Sequence, residues 1–172
     1  MPALLALLLL AATIDPRLAE PLQVLAELHA AHPEIPDYSR TPDLLHLTLR
    51  MSPLPPMAGG HYDPRTRTLT MAQALLGEDP RVMAAGLAHE LTHASDFDLI
   101  AVGLLERDCA ELEIRAFEAQ AIVTRALWPD EVQSGTDWER GLAMIVMAYE
   151  ASGVDGLRAM VDGTPGYRAE RC

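Results

Sequence analysis

A chain of 172 residues, 49% of them hydrophobic and 22% charged, has the size and composition of one globular domain. Its net charge of −12 makes the surface acidic, so a nucleic-acid backbone is not an expected partner. Its two cysteines, Cys109 and Cys172, are too few for a disulfide-based scaffold.

Residues 1–13 open the chain with an apolar run that is too short to span a bilayer as a helix. The run has the length of the hydrophobic part of a signal peptide, but no Lys or Arg precedes it and its only cleavage site is weak. The missing positive charge favours a buried N-terminal helix and a cytoplasmic protein. A signal peptide and a secreted protein are the alternative.

The next elements alternate between helix and strand signals. Asp15 followed by Pro16 predicts a helix start, and leucines at helical spacing carry that helix to about residue 31. Residues 33–43 contain three prolines and are predicted to form a loop. Residues 44–51 alternate between apolar and polar side chains, which predicts a strand, and residues 61–71 predict a hairpin with its turn at residues 63–65.

The second half of the chain is predicted to be helical. One helix begins at Asp79 and another extends from Asp108 to Trp128, before Pro129. A capping-box pattern at Thr136 starts a third, which ends near Gly153 and is followed by a short last helix. The predicted class is therefore α+β: a single helix-dominated domain over residues 1–172, with a small antiparallel sheet or hairpin before the helix that starts at Asp79.

That helix contains the stretch AHELTHASDF, residues 88–97. His89 and His93 are four residues apart, so both imidazoles lie on one helix face and can reach one ion. Glu90 is about 100° around the helix from His89, close enough to reach a water on that ion without binding the ion itself. This is the HExxH pattern, in which a helix supplies two zinc ligands and a general base. Asp96, just after it, is expected to be a surface acid, and the alternative is that it orients one of the two histidines.

A zinc site of this type needs a third protein ligand and an open position for water. The helix from Asp108 offers Glu111 and Glu113, which point about 200° apart, so both cannot face the ion. Glu113 shares its stripe with small and apolar residues, whereas Glu111 shares a polar stripe with Arg115, its expected ion-pair partner. A carboxylate on an apolar face needs a partner, so we favour Glu113 as the third ligand, with Glu111 as the alternative.

The HExxH stretch followed by the segment EIRAFEAQ, residues 113–120, resembles the zincin metallopeptidases, and in particular the gluzincin type, whose third ligand is a glutamate on a later helix. It is also similar to small bacterial domains assigned as metallopeptidases that share HExxH and a later ExxAF segment. The resemblance covers about residues 66–128. It implies a minimal zincin-like fold, one zinc ion held by His89, His93 and Glu113, and Glu90 as the general base.

The resemblance further implies a peptide or protein substrate, hydrolysed by a metal-activated water. In such enzymes a strand before the HExxH helix pairs with extended substrate, and residues 65–71 (RTRTLTM) have that place in the sequence. A purely structural hairpin is the equal alternative for this strand. A donor for the oxyanion is also required. The candidates are His61, Tyr62, Tyr149 and Tyr167. The alternative function is a non-catalytic regulatory or interaction domain that retains the metal site.

Overall fold

The computed structural model describes residues 12–56, 58–130, 132 and 135–164. Helices make up 62% of the described residues and a four-stranded sheet makes up 11%, so the predicted helix-dominated α+β class is confirmed. The apolar run falls almost wholly on residues 1–11, which lie outside the described residues, and the choice between a buried helix and a signal peptide stays a prediction. No helix in the described ranges has both the length and the apolarity required to cross a bilayer.

Six α-helices are described. Their bounds are α1 Ala19–Ala31, α2 Thr41–Leu44, α3 Pro80–Ala101, α4 Cys109–Leu127, α5 Asp137–Ser152 and α6 Val154–Gly163. The predicted starts of α3, α4 and α5 are confirmed by their caps: the side chains of Asp79, Asp108 and Thr136 accept hydrogen bonds from the first backbone N–H groups of these helices. Asp15 caps a 3₁₀ turn, Pro16–Leu18, that leads directly into α1.

The strands are β1 Thr13–Ile14, β2 Thr48–Ser52, β3 Gly60–Asp63 and β4 Thr68–Ala72, in the spatial order β1-β2-β4-β3. The predicted hairpin is present as the antiparallel pair β3–β4. The sheet is not wholly antiparallel, however, because β2 pairs in parallel with both β1 and β4. The prediction missed this since parallel partners are distant in the chain and leave no turn signal between them.

The strand predicted over residues 44–51 begins later than expected. Its first residue, Leu44, belongs to α2, and His46 has a positive φ of 52°, which separates the helix from the strand. From Thr48 onward the predicted alternation is present, with Leu49 and Met51 buried and Arg50 exposed.

The long helix α3 is the centre of the molecule. It packs against α1, α4 and the β3–β4 hairpin, and the apolar side chains of its middle turns are fully buried. Leu69 and Met71 of β4 are also fully buried and belong to the same core. A second, smaller apolar cluster joins α4 to α5 and α6. The HExxH residues are thus held by the most buried helix of the fold.

Candidate metal centre

His89 and His93 of α3 meet Glu113 of α4 at the interface between the two helices. The Nε2 atoms of the histidines are 3.2 Å apart, and each lies 3.6 Å from one oxygen of Glu113. One donor atom from each residue lies within 4.8 Å of the other two, so the group could hold a metal ion. The side chains are only 12%, 12% and 18% exposed.

The separations suit a small tetrahedral cation. Donors at about 2.0–2.1 Å from a tetrahedral zinc ion are about 3.3–3.4 Å from one another, close to the distances between these three side chains. Three protein donors would leave a fourth position for water or substrate. The donor set of two imidazole nitrogens and one carboxylate oxygen could therefore hold a small metal ion and leave one position open.

Packing around α4 explains how Glu113 reaches this position. Ala116, Phe117 and Gln120, on the same helix stripe, are buried as predicted. The Phe117 ring packs edge-on against the His89 ring, with 4.7 Å between centroids. The Nδ1 atom of His89 is buried without a hydrogen-bond partner that meets normal geometry, although the Gln120 side chain lies close enough to interact with the ring.

The alternative ligand, Glu111, is directed elsewhere. Its carboxylate forms an ion pair with Arg158 of α6, and its side chain is 47% exposed. The predicted pair between Glu111 and Arg115 is wrong. Arg115 instead makes two hydrogen bonds of 2.9 Å to Asp96 of α3. Among the two glutamates considered from sequence, only Glu113 joins the histidines.

Asp96 also differs from its predicted role as a surface acid, because it is 1% exposed. It lies three residues after His93, and its bidentate pair with Arg115 links α3 to α4 beside the candidate site. No local sequence pattern joins these residues, since the contact depends on how the two helices pack.

Glu90 lies beside the three donor residues and is 6% exposed. Burial raises the pKa of its carboxyl to about 7, and the negative charge of Glu113 acts in the same direction. The charge of His89 and a hydrogen bond from the backbone N–H of Tyr62 lower the pKa in part. Glu90 therefore contacts β3 on one side and interacts electrostatically with His89 and Glu113 on the other.

The two histidines have opposite pKa shifts. Burial, followed by the charges of His89 and His61, lowers the pKa of His93 to about 3, so this imidazole is neutral at neutral pH. Burial also opposes the charged form of His89, but the hydrogen bond to Glu113 and the charges of Glu90 and Glu113 raise its pKa overall. A neutral imidazole offers the lone pair that a metal ion requires.

The candidates for the oxyanion donor that the structure describes have different surroundings. The hydroxyl of Tyr149 donates to Glu118 at 3.3 Å, and the Tyr62 ring is buried against Phe97. Tyr167 lies outside the described residues. His61 has an exposed side chain on β3 and is close enough for its charge to lower the pKa of His93. Among the described candidates, His61 is the one whose charge acts on His93.

Of the two hairpin strands, β3 lies at an edge of the sheet, whereas most of the segment RTRTLTM forms the inner strand β4. Hydrogen bonds to β2 and β3 occupy both sides of β4, so the expectation that it offers an edge to substrate is wrong. The contact between Glu90 and Gly60, the first residue of β3, was not predicted from the sequence. The Gly59-Gly60 pair was the only local signal for it.

Comparison with known proteins adds no relative: no protein-family model, no curated protein and no solved structure matches the chain.

Proposed function

We propose that the protein is a zinc-dependent metallopeptidase that hydrolyses peptide bonds. The observation that carries the proposal is the convergence of His89, His93 and Glu113 at 3.2–3.6 Å, with the Glu90 carboxylate beside them. Two imidazoles and one carboxylate suit zinc, and they leave the open position on which hydrolytic zinc sites depend. A bound cation would also offset the cost of burying the carboxylates of this site.

A zinc ion held there would lower the pKa of a bound water and polarise the substrate carbonyl. Glu90 is the proposed group for the proton transfers. It accepts a proton from the attacking water and returns that proton to the nitrogen of the departing amine. His61, with its exposed ring near His93, is the proposed donor to the oxyanion.

Substrate would lie along β3. The backbone N–H of Ala72 donates to the Gly59 carbonyl at 2.9 Å, so residues 59, 61 and 63 form the hydrogen-bonded pairs of the hairpin. Alternation in an antiparallel pair then turns the backbone groups of Gly60 and Tyr62 towards the free edge. Because Glu90 accepts the Tyr62 N–H, an extended peptide could add to that edge through the N–H and C=O of Gly60 and the C=O of Tyr62, next to Glu90 and the proposed ion.

The test is elemental analysis of the purified protein, coupled to cleavage of a broad peptide library. We expect one zinc ion per chain and hydrolysis by the wild type. Glu90→Gln should keep the zinc and lose hydrolysis, because the amide cannot take the proton from water. Stoichiometric zinc without turnover of any peptide would instead support the non-catalytic metal-binding domain, and absence of metal would remove both functions.

A further inference from the structure

A side chain at position 60 could be accommodated only if the side chain of Glu90 moved. A Cβ atom added to it would be 2.6 Å from Cγ of Glu90, 2.7 Å from Oε1 and 2.8 Å from Cδ. Gly60 has no positive φ, so its backbone conformation does not demand glycine. The requirement is one of space, and the space is taken up by the side chain of Glu90.

Two contacts from one strand therefore fix the carboxylate. The backbone at Gly60 forms the surface on which the Glu90 side chain lies, and the Tyr62 N–H donates a hydrogen bond to it two residues later. Tyr62 is itself held in place, since its ring is buried against Phe97. Glu90, 6% exposed, thus has little freedom on the side of β3.

We infer that Gly60 is a positioning residue for Glu90: the missing Cβ lets the carboxylate lie flat against β3, beside the histidine pair. Any larger residue at position 60 would push the carboxylate off the strand and out of reach of the Tyr62 N–H. The role assigned to Glu90 rests on the proposed function, whereas the contact between Gly60 and Glu90 does not.

Gly60→Ala tests the inference, with Gly141→Ala as its matched control. Gly141 lies in α5 and a Cβ added there would meet no atom within 4 Å, so this variant makes the same chemical change without a clash. In the loaded enzyme, we expect Gly60→Ala to lower kcat about a hundredfold, the scale of a misplaced catalytic group, with KM and zinc content little changed. Gly141→Ala should keep the wild-type kcat.

A second measurement does not depend on activity. Gly60→Ala is made in the wild type and in a Glu90→Ala background, and the thermal midpoint of the metal-free proteins is recorded. In the wild type the crowding should lower Tm by roughly 3 to 10 °C, whereas without the Glu90 side chain the same change should cost little. Equal shifts in the two backgrounds would overturn the inference, whatever the activity. A wild type that cleaves no peptide would count against the proposed function alone.

Discussion

Asp96 on α3 and Glu113 on α4 are carboxylates at the same helix interface, and solvent hardly reaches either of them. Asp96 is 1% exposed and is neutralised by the guanidinium of Arg115, which contacts both of its oxygens. Glu113 instead meets the Nε2 atoms of two histidines: it raises the pKa of His89, whereas burial lowers the pKa of His93 and keeps that ring neutral. The fold thus supplies a permanent cation for one carboxylate and two potential metal ligands for the other.

The surroundings of these two carboxylates indicate which of them is expected to bind an ion. The charge of a buried carboxylate that pairs with an arginine is already neutralised, so it does not require a cation from solution. A buried carboxylate among lone-pair donors is compensated best when a cation enters. The two arrangements lie within one or two helical turns of each other, so variants at each can be compared in the same fold.

The largest expected effect is on metal affinity. Glu113→Ala removes one of the three proposed ligands and should weaken zinc binding by more than about a hundredfold, beyond what loss of an outer partner of a ligand costs. Glu111→Ala, which only breaks a surface ion pair with Arg158, is the matched control and should leave affinity near that of the wild type. Zinc titration with a competing chelator measures both affinities. A larger loss in Glu111→Ala than in Glu113→Ala would contradict the choice of Glu113 as the third ligand.

A second prediction concerns the pH dependence of the metal-free protein. The pKa of Glu90 is raised in the folded state to about 7 from an ordinary 4.5, so the folded state holds a proton that the unfolded state releases. Stability from this group is therefore present below pH 4.5 and is lost as pH rises through about 7. Glu90→Gln should gain stability relative to the wild type over this window.

The difference in unfolding free energy between Glu90→Gln and the wild type should reach at most about 3 kcal/mol above pH 8. Urea unfolding at several pH values measures it. The difference between the two proteins is the useful quantity. His93, whose folded pKa is lowered to about 3, acts in both and with the opposite sign, adding stability as pH rises towards 6.5. A gap that stays constant with pH would mean that Glu90 is not protonated by burial.

The Asp96–Arg115 pair should respond asymmetrically. Arg115→Ala leaves a buried carboxylate without its cation, and we expect a loss of about 2 kcal/mol of unfolding free energy, reduced from the usual range because the arginine side chain is 47% exposed. Asp96→Ala leaves a guanidinium that can turn to water and should cost less. Chemical denaturation of both variants measures the difference, and equal losses would show that burial of Asp96 is not the cause.

The smallest effect is expected at Asp98, also on α3. It forms a 3.0 Å ion pair with Arg67, but both side chains are more than 40% exposed. Asp98→Ala should change the unfolding free energy by less than about 0.5 kcal/mol, because solvent screens an exposed pair. This variant shows how much unfolding free energy is lost when an exposed ion pair of α3 is removed. A loss as large as that of Arg115→Ala would remove the distinction between buried and exposed pairs.

Local signals in the sequence were sufficient for most helices and for part of the site. Asp79, Asp108 and Thr136 mark helix starts because capping is a contact within a few residues. The choice of Glu113 over Glu111 as the residue that meets the histidines followed from helical phase, which is equally local.

What escaped prediction depends on contacts between distant segments. The parallel pairing of β2 with β1 and β4, the edge position of β3 and the pair of Asp96 with Arg115 are set by how helices and strands pack. Gly60 shows the same limit, since a glycine before a hairpin is indistinguishable in sequence from a glycine that makes room for a carboxylate.

The division of the donor atoms between α3 and α4 has a kinetic consequence. An ion that joins His93 to Glu113 would act as a cross-link, closing the loop between two helices that are otherwise joined through residues 102–108. Release of the ion then requires the helices to separate locally, and the Asp96–Arg115 pair opposes that opening. The rate at which a chelator strips the protein would therefore report how often this interface opens, and Arg115→Ala should make that rate faster.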